Sequence, residues 1–342
     1  LMLNYIIKKI TQVDRRDLED FYKLVFKNRY KSLTQNLEWW YRLNDTKCEP
    51  IVLILNNKII GHLGLLPTKI KFNGKIKNAS WYIDFAVLPE FQGKGAGSTL
   101  VKAGTNLSDI QLAFCNQAAL KVYKKLNWKI NYLTQRLARP INPIKWVPLL
   151  KKTNLKILKK IYNFSLIKKT KELSFVEPIN FNENMKAIEK NFSNRKNDVS
   201  NNLIFVRDSS WFEWRFSKFP YRENLRVFQS KDNYLITHFQ NSKGIKRVHV
   251  LFHFYLNESY EVEMYYLATK WAIKNNFDLI WSCSANKNLT NKLRSIFPKI
   301  FHKPIIIASN SGEDTIYKKL ELGVQNIQAA DSDMDTFFLG DN

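Results

Sequence analysis

A glycine-rich turn between an apolar segment and a helix constrains the fold of this chain more than any other feature. Residues 83–88 are mostly apolar, Pro89 ends that segment, and residues 92–97 read Gln-Gly-Lys-Gly-Ala-Gly. A helix is predicted at 97–107. The backbone N–H groups of such a turn point inward, glycine permits positive φ, and the dipole of the following helix favours negative charge. The pattern therefore predicts an α/β unit with a site for a phosphorylated cofactor.

The spacing of this turn excludes the two commonest nucleotide-binding motifs. Lys94 is followed by Gly95, whereas a P-loop needs Ser or Thr after its lysine. A dinucleotide loop needs a third glycine at the position occupied by Ser98. What fits is a Val-x-Pro segment followed by Gln-x-x-Gly-x-Gly, formed here by Val87, Pro89, Gln92, Gly95 and Gly97. This pattern resembles the acetyl-coenzyme A pyrophosphate loop of the GNAT acyltransferase superfamily.

A segment further along the chain resembles the second half of the same coenzyme site. A strand predicted at 111–115 is followed by Asn116, Ala119 and Tyr123. The resemblance implies that the strand splays from its neighbour to admit the pantetheine arm, and that Asn116 and Ala119 contact the coenzyme. It also implies that Tyr123 points at the thioester sulfur as a general acid; the alternative is a half-buried helical tyrosine with its hydroxyl in water. Asn127 stands where the family usually has glycine, and because Asn tolerates left-handed φ we expect the helix end to survive.

The resemblance further implies which backbone groups hold the coenzyme and what the reaction is. The amides of Phe85 and Val87, on the splayed strand, would bind the acyl carbonyl and the pantetheine, and polarising that carbonyl stabilises the developing oxyanion. An acetyl or similar acyl group would pass from acetyl-CoA, or another acyl-CoA, to a primary amine by direct attack. The pyrophosphate would be held by the backbone amides of Gln92, Gly93, Lys94, Gly95, Ala96 and Gly97.

The sequence indicates the residues that would bind or deprotonate the amine less specifically than those that would bind the coenzyme. Asp84 lies in an apolar strand, three residues before Val87, and its carboxylate could attract an ammonium group and pass a proton to water. It could equally cap a neighbouring loop. His62, in a strand predicted at 59–65, is a second candidate base, although a lone histidine in a strand is more often packed or hydrogen-bonded. Trp39 and Trp214 could stack on a sugar ring, but we interpret them as core residues.

Two weakly similar halves indicate two domains. The first half is predicted as a helix, antiparallel strands and a β-α-β-α succession, and the second half has the same order of elements, with Glu213-Trp214-Arg215-Phe216 matching Glu38-Trp39-Trp40-Tyr41. The second half has no glycine between 254 and 260 and carries the acidic Glu258 there, so we expect it to bind no coenzyme. The predicted class is α/β, with two GNAT-like domains, each a mixed, mostly antiparallel sheet flanked by helices. Their predicted bounds are 1–140 and 173–342, joined by a Pro/Lys-rich linker at 141–172.

The charge of the chain is strongly positive. It has 342 residues, 54 of them Lys or Arg and 30 Asp or Glu, for a net charge of +24. Positions 110–171 contain no acidic residue, and such a field concentrates anions. Residues 151–171 fit a basic amphipathic helix that either makes weak contact with an anionic membrane surface or simply connects the domains. No apolar run suggests a membrane span, no His or Cys spacing suggests a metal site, and three separated cysteines suggest reduced thiols, so we expect a cytoplasmic protein.

Three functions therefore remain open from the sequence. The first is an acetyl-CoA-dependent N-acyltransferase acting on a small-molecule amine, with an amino-sugar or nucleotide-linked amino-sugar as the first acceptor to consider. The second is a peptidoglycan-type aminoacyl transferase that uses aminoacyl-tRNA, against which the intact loop at 92–97 argues. The third is a non-catalytic basic binding protein on a relict fold. The chain has no recognised nucleic-acid motif, so no specific nucleic-acid partner is expected, and nothing in it indicates an oligomeric state.

Overall fold

The computed structural model describes residues 4–43, 48–142, 162–163, 188, 202–230, 233–242, 244–255, 261–324 and 327–332. The helix predicted at 151–171 lies outside this part of the chain except for Tyr162 and Asn163, as do residues 256–260, where the second half was expected to lack a pyrophosphate loop.

The described residues contain both strands and helices. The strands are β1 (Ile6–Lys9), β2 (Ile51–Leu55), β3 (Lys58–Phe72), β4 (Lys75–Val87), β5 (Ile110–Phe114), β6 (Lys129–Asn131), β7 (Gln135–Pro140), β8 (Ile204–Phe205), β9 (Leu225–Ser230), β10 (Asn233–Ser242), β11 (Ile245–Phe254), β12 (Leu279–Ser284), β13 (Lys303–Pro304) and β14 (Ile307–Ser311). The α-helices are α1 (Arg15–Phe26), α2 (Tyr30–Gln35), α3 (Leu37–Tyr41), α4 (Ala96–Thr105), α5 (Gln117–Lys125), α6 (Ser209–Phe212), α7 (Glu261–Lys274), α8 (Lys287–Lys292) and α9 (Asp314–Lys319).

These strands form two mixed sheets flanked by helices, which confirms the predicted fold class. The first sheet has the order β1-β2-β3-β4-β5-β14-β6, and β8 pairs with the far end of β3. The second has the order β13-β7-β12-β11-β10-β9. Neighbouring strands are antiparallel in both, apart from β4 with β5 and β11 with β12. No helix of the described residues is long and apolar enough to span a membrane.

Each sheet is completed by a strand from the other part of the chain. β7 directly follows β6 in the sequence but pairs with β12 and β13 of the second sheet. β14, near the end of the described chain, pairs with β5 and β6 of the first sheet. The predicted division into 1–140 and 173–342 therefore does not separate the two sheets. The strand orders β2-β3-β4-β5-β14-β6 and β9-β10-β11-β12-β7-β13 correspond position by position, while duplication of the unit itself stays a prediction.

β3 and β4 form one long antiparallel pair. The strand predicted at 59–65 continues to Phe72, and β4 returns from a turn at Asn73 and Gly74. Pro67 lies inside β3 opposite Ser80. Among the described residues, β3 pairs there with β4 alone, because the β2 ladder ends at Leu63 and the β8 ladder begins at Ile70. A proline is tolerated in a strand that lacks a neighbour on one side.

Trp39 and Trp214 pack the two halves of the chain against each other. Their rings stack with centroids 5.6 Å apart and planes inclined by 24°. Each indole N–H donates to the backbone carbonyl of the other residue at 2.8 Å. Because the two rings stack on each other and their donors are used, they are core residues, as interpreted from the sequence, and not a platform for a sugar.

Candidate functional site

β4 and β5 separate toward their carboxyl ends. The parallel ladder between them runs only from Ala79 with Ile110 to Tyr82 with Ala113. β4 then continues to Val87 without a β5 partner. The gap that opens lies beside the glycine-rich turn, so an extended ligand arm could enter between these two strands.

A β-bulge marks the point at which the strands separate. His62 pairs with Ala86 and Gly64 pairs with Ile83, so one residue of β3 lies opposite two residues of β4, Asp84 and Phe85. Asp84 has φ +49°, a left-handed conformation that is uncommon for a residue other than glycine. Such a bulge re-aims the backbone groups of the strand that carries the extra residue.

The backbone of Val87 points into this gap. Leu88 donates its N–H to the carbonyl of Ile60 at 2.9 Å, so Leu88 is hydrogen-bonded to β3. Because residues of an antiparallel strand alternate in this respect, the N–H and C=O of Val87 point away from β3. The Gln92 side chain donates to the Val87 carbonyl at 2.9 Å, which ties the strand to the turn and leaves the Val87 N–H directed toward the gap.

The glycine-rich turn adopts the conformation predicted for an anion site. Gly93 has φ +77° and Gly95 has φ +89°, and Gly95 is the N-cap of α4. A Cβ added at either glycine would meet no atom within 4 Å, so backbone conformation and not space requires glycine there. At Gly97 the reason is space, because a Cβ would lie 3.1 Å from the Phe85 ring. The N-terminal N–H groups of α4, beginning at the buried Ala96, therefore face outward beside the gap.

α5 closes the other side of the gap. Asn116 is its N-cap and accepts a hydrogen bond from the Ala119 N–H at 2.9 Å. That N–H is thus used within the helix, and contact of Asn116 and Ala119 with the coenzyme stays a prediction. Asn127 has φ +58° beyond the end of α5, so asparagine replaces the expected glycine in the left-handed conformation, as predicted.

Tyr123 lies beneath the gap and not at the surface. It is 1% exposed, its ring centroid is 4.5 Å from that of Trp128, and it is 6.2 Å from that of Phe85. The expected alternative of a half-buried tyrosine with its hydroxyl in water is therefore wrong. Burial, which disfavours the phenolate, raises the pKa of Tyr123 well above its usual value. The side chain keeps its proton and can act as a hydrogen-bond or proton donor near the bulge.

Asp84 is buried in a polar cluster and does not face an open cleft. Its side chain has no exposed surface, and Arg29 Nη1 lies 3.0 Å from Oδ1. Its Oδ2 accepts from Trp40 Nε1 at 2.8 Å and from the Tyr41 hydroxyl at 3.0 Å. The prediction that Asp84 binds the acceptor amine is corrected on this point, because an ammonium group could reach the carboxylate only by displacing these donors. Asp84 also does not cap a neighbouring loop.

His62 belongs to the same cluster. It is completely buried, its Nδ1 is 2.9 Å from the backbone carbonyl oxygen of Asp84, and its Nε2 is 2.9 Å from the Tyr22 hydroxyl. Burial lowers the pKa of His62 below its ordinary value of 6.5. Of the two interpretations of His62, the structure matches the packed, hydrogen-bonded histidine, and the candidate base is buried with both ring nitrogens bonded.

The lowered pKa of His62 makes stability depend on pH. The unfolded chain takes up a proton at His62 below pH 6.5, while the folded chain resists it, so the folded state loses stability as pH falls from 6.5 toward the folded pKa. We expect this loss to reach roughly 1 kcal/mol per pH unit relative to a His62→Asn variant. Urea unfolding of both proteins at pH 7.5 and 5.5 measures it, and parallel pH dependence of the two would contradict it.

Sequence reasoning missed the residues that surround Asp84 and His62. They are Tyr22, Arg29, Trp40 and Tyr41. They come from α1, the following turn and α3, and only the fold brings them to the bulge. The one available signal was the run of aromatic residues at 39–41, of which we interpreted only Trp39, as a core residue.

Comparisons with known proteins place this geometry in a family. Residues 13–128 match the model of the acetyltransferase (GNAT) family. A GCN5-related N-acetyltransferase from Kribbella flavida has a TM-score of 0.60 at 9% identity, with 91% of this chain and 71% of that chain covered. One from Anabaena variabilis has a TM-score of 0.54 at 12% identity, covering 89% and 72%. Saccharomyces cerevisiae N-myristoyltransferase with bound myristoyl-CoA has a TM-score of 0.53 at 12% identity, covering 90% and 82%. At these identities the likeness shows the fold alone, and no curated protein matches the chain.

Proposed function

Because residues 13–128 form a domain of the acetyltransferase (GNAT) family, we propose that the protein transfers an acyl group from acyl-CoA to a primary amine. The observation that carries this proposal is the combination at one place of the gap between β4 and β5, the bulge at Asp84 and Phe85, and the glycine turn at the N-terminus of α4. The turn suits a pyrophosphate, since its N–H groups and the helix dipole favour anions. The gap suits the pantetheine arm.

Different residues of the chain would carry out different parts of the reaction. Acyl-CoA would supply the acyl group activated as a thioester. The N–H groups of Phe85 and Val87 would polarise the acyl carbonyl, and donors aimed at developing negative charge are usually the largest catalytic contribution. The amine nitrogen forms the new bond to the acyl carbon while the carbon–sulfur bond breaks. Tyr123 would donate its proton toward the departing sulfur, and the proton of the amine would pass to water because Asp84 and His62 are buried. The phenolate of Tyr123 would then regain a proton from water, so that the protein returns to its starting state.

The chemical classes of donor and acceptor follow from analogy and from charge. We propose acetyl-CoA as the first donor to test. The S. cerevisiae structure holds myristoyl-CoA, which makes a longer acyl-CoA a second donor worth including. For the acceptor we propose an amino-sugar or nucleotide-linked amino-sugar. The net charge of +24 favours the nucleotide-linked form, because its phosphates make it an anion.

The experiment that tests this function measures release of free thiol. Acetyl-CoA and myristoyl-CoA are each incubated with the protein and a panel of free amino-sugars, nucleotide-linked amino-sugars and simple primary amines. We expect thiol release that depends on one class of amine, together with a product heavier by one acyl group in the mass spectrum. Thiol release that is equal with and without every amine, from folded protein that binds acyl-CoA, would contradict transfer to an amine.

Replacement of Tyr123 by Phe should separate chemistry from binding. Tyr123→Phe keeps the buried ring against Trp128 and removes only the hydroxyl, so we expect kcat to fall about 100-fold while the affinity for acyl-CoA changes less than about threefold. The matched control is Tyr266→Phe, which removes the hydroxyl that donates to Ser295 in the second sheet's helical layer. A kcat of Tyr123→Phe within twofold of wild type would remove this residue from the mechanism.

A further inference from the structure

The bulge holds one strained peptide in a fixed orientation. Asp84 adopts φ +49°, and a non-glycine residue persists in this region only where its surroundings impose it. The surroundings here are specific, because the Asp84 side chain is bonded to Trp40, Tyr41 and Arg29. The Asp84 backbone carbonyl is bonded to His62. Both the side chain and the backbone of this residue are therefore anchored to the same face of the sheet.

The protons of the cluster have one consistent arrangement. The Asp84 carbonyl can only accept, so His62 Nδ1 must carry the hydrogen that lies between them. His62 Nε2 then carries the lone pair and accepts from the Tyr22 hydroxyl. Burial favours the neutral imidazole and the protonated phenol, which agrees with this assignment. In this state the only lone pair of His62 is occupied, and the residue has no free position from which to take a proton from an amine.

The hydrogen bond from His62 fixes a second group on the far side of the peptide. The peptide that joins Asp84 to Phe85 is planar and trans, so its C=O and its N–H point in opposite directions. Because the carbonyl points toward the His62 side chain, the Phe85 N–H points away from that side chain. Phe85 lies two residues before Val87, and because residues of a strand alternate, its N–H points to the same side of β4 as that of Val87, away from β3. This side of β4 faces the gap, because β5 no longer pairs with β4 at this level. The Val87 N–H points into the same gap.

We infer that His62 and Asp84 are positioning residues, which orient the Phe85 N–H toward the acyl carbonyl and take no proton from the acceptor amine. This inference rests on the proposed acyl transfer. It also gives the Tyr22, Arg29, Trp40 and Tyr41 side chains a role, since they hold the two positioning residues in place.

Two substitutions of His62 distinguish a positioning residue from a base. The amide nitrogen of Asn can take the place of Nδ1, so His62→Asn keeps the donor to the Asp84 carbonyl and has no basic nitrogen. Phe keeps the ring volume and has no donor. We expect kcat of His62→Phe to fall about 10- to 100-fold, somewhat less than the complete loss of an oxyanion donor. We expect His62→Asn to stay within about fivefold of wild type, with the acid limb of its pH–rate profile at the wild-type position.

Two results would overturn the inference. If His62→Asn loses as much activity as His62→Phe and the acid limb of its pH profile disappears, His62 is a base. If His62→Phe is as active as wild type, the orientation of the peptide does not depend on this histidine. Asp84→Gly and Asp84→Ala provide a second test with the ring intact. Both remove the side-chain contacts, but only Gly adopts φ +49° freely, so Asp84→Ala should be the less active of the two.

The affinities of His62→Phe for acetyl-CoA and for free CoA test the inference independently of the proposed function. The Phe85 N–H would contact only the acyl carbonyl, so His62→Phe should weaken acetyl-CoA binding several-fold while leaving binding of free CoA unchanged. This difference is measurable by calorimetry even if no amine is turned over. A wild-type protein that binds acetyl-CoA but acylates no amine would count against the function, whereas equal losses for acetyl-CoA and CoA in His62→Phe would count against the inference.

Discussion

A Gly95→Glu variant should lose acyl-CoA binding by at least about 100-fold. Gly95 has φ +89° at the N-cap of α4, where any side chain adds roughly 1–2 kcal/mol of backbone strain. The carboxylate would also stand where the N–H groups of the helix are expected to meet the pyrophosphate, and like charges repel. Calorimetric titration with acetyl-CoA measures the loss.

The matched control for Gly95 is Gly74. It has φ +76° in the turn between β3 and β4, with no atom within 4 Å of an added Cβ. Gly74→Glu thus brings the same charge and similar backbone strain to a turn outside the proposed site, and we expect it to bind acetyl-CoA like wild type. Equal loss of binding in the two variants would show that general destabilisation, and not the coenzyme loop, explains the effect of Gly95→Glu.

An Arg207→Met variant should lose about 3–5 kcal/mol of unfolding free energy. Arg207 donates from Nε and Nη2 to the two oxygens of Asp331 at 2.8 and 2.6 Å, and the side chains are 4% and 1% exposed. Removal of the arginine leaves a buried carboxylate whose charge is no longer compensated, which is the costly way to break a buried ion pair. Equilibrium unfolding in urea measures the change.

The exposed pair of Lys69 and Asp208 provides the control for Arg207. Its atoms are 2.9 Å apart, but the side chains are 48% and 39% exposed. We expect Lys69→Met to cost less than about 1 kcal/mol, because solvent screens exposed pairs. If Arg207→Met and Lys69→Met have the same effect, burial does not govern the contribution of these ion pairs.

Local patterns predicted the conformation of the glycine-rich turn and of the helices near it. The turn at 92–97 and the two helices that follow it depend on glycine conformation, capping and apolar spacing within a few residues. The resemblance to the GNAT family rested on these segments and is confirmed for residues 13–128.

Contacts between distant parts of the chain were not predictable. The bond of Asp84 to Arg29 and that of Asp84 to His62 join three separate elements, and nothing in the local sequence of Asp84 indicates φ +49°. Nothing in the local sequence of Asp331 indicates burial either, yet Arg207 binds it in the interior.

Local patterns also did not predict that each sheet receives a strand from the other part of the chain. This exchange affects the site. The apolar spacing of residues 307–311 would be the same in a strand of the first sheet and in a strand of the second, so it does not indicate which sheet the strand joins. In the structure β14 pairs along β5, and the Cys115 N–H donates to the Ile306 carbonyl at 2.9 Å. Cys115 directly precedes Asn116, the N-cap of α5. The end of the described chain thus supports one wall of the gap in the first sheet.

Calorimetric titration of the wild-type protein with acetyl-CoA tests the central claim most directly. The account predicts saturable one-site binding with a dissociation constant on the order of micromolar, typical of an enzyme for its substrate. Free CoA should compete for the same site, since the turn would hold the pyrophosphate that both share. Absence of binding by folded protein to acetyl-CoA, longer acyl-CoA and free CoA alike would contradict the account.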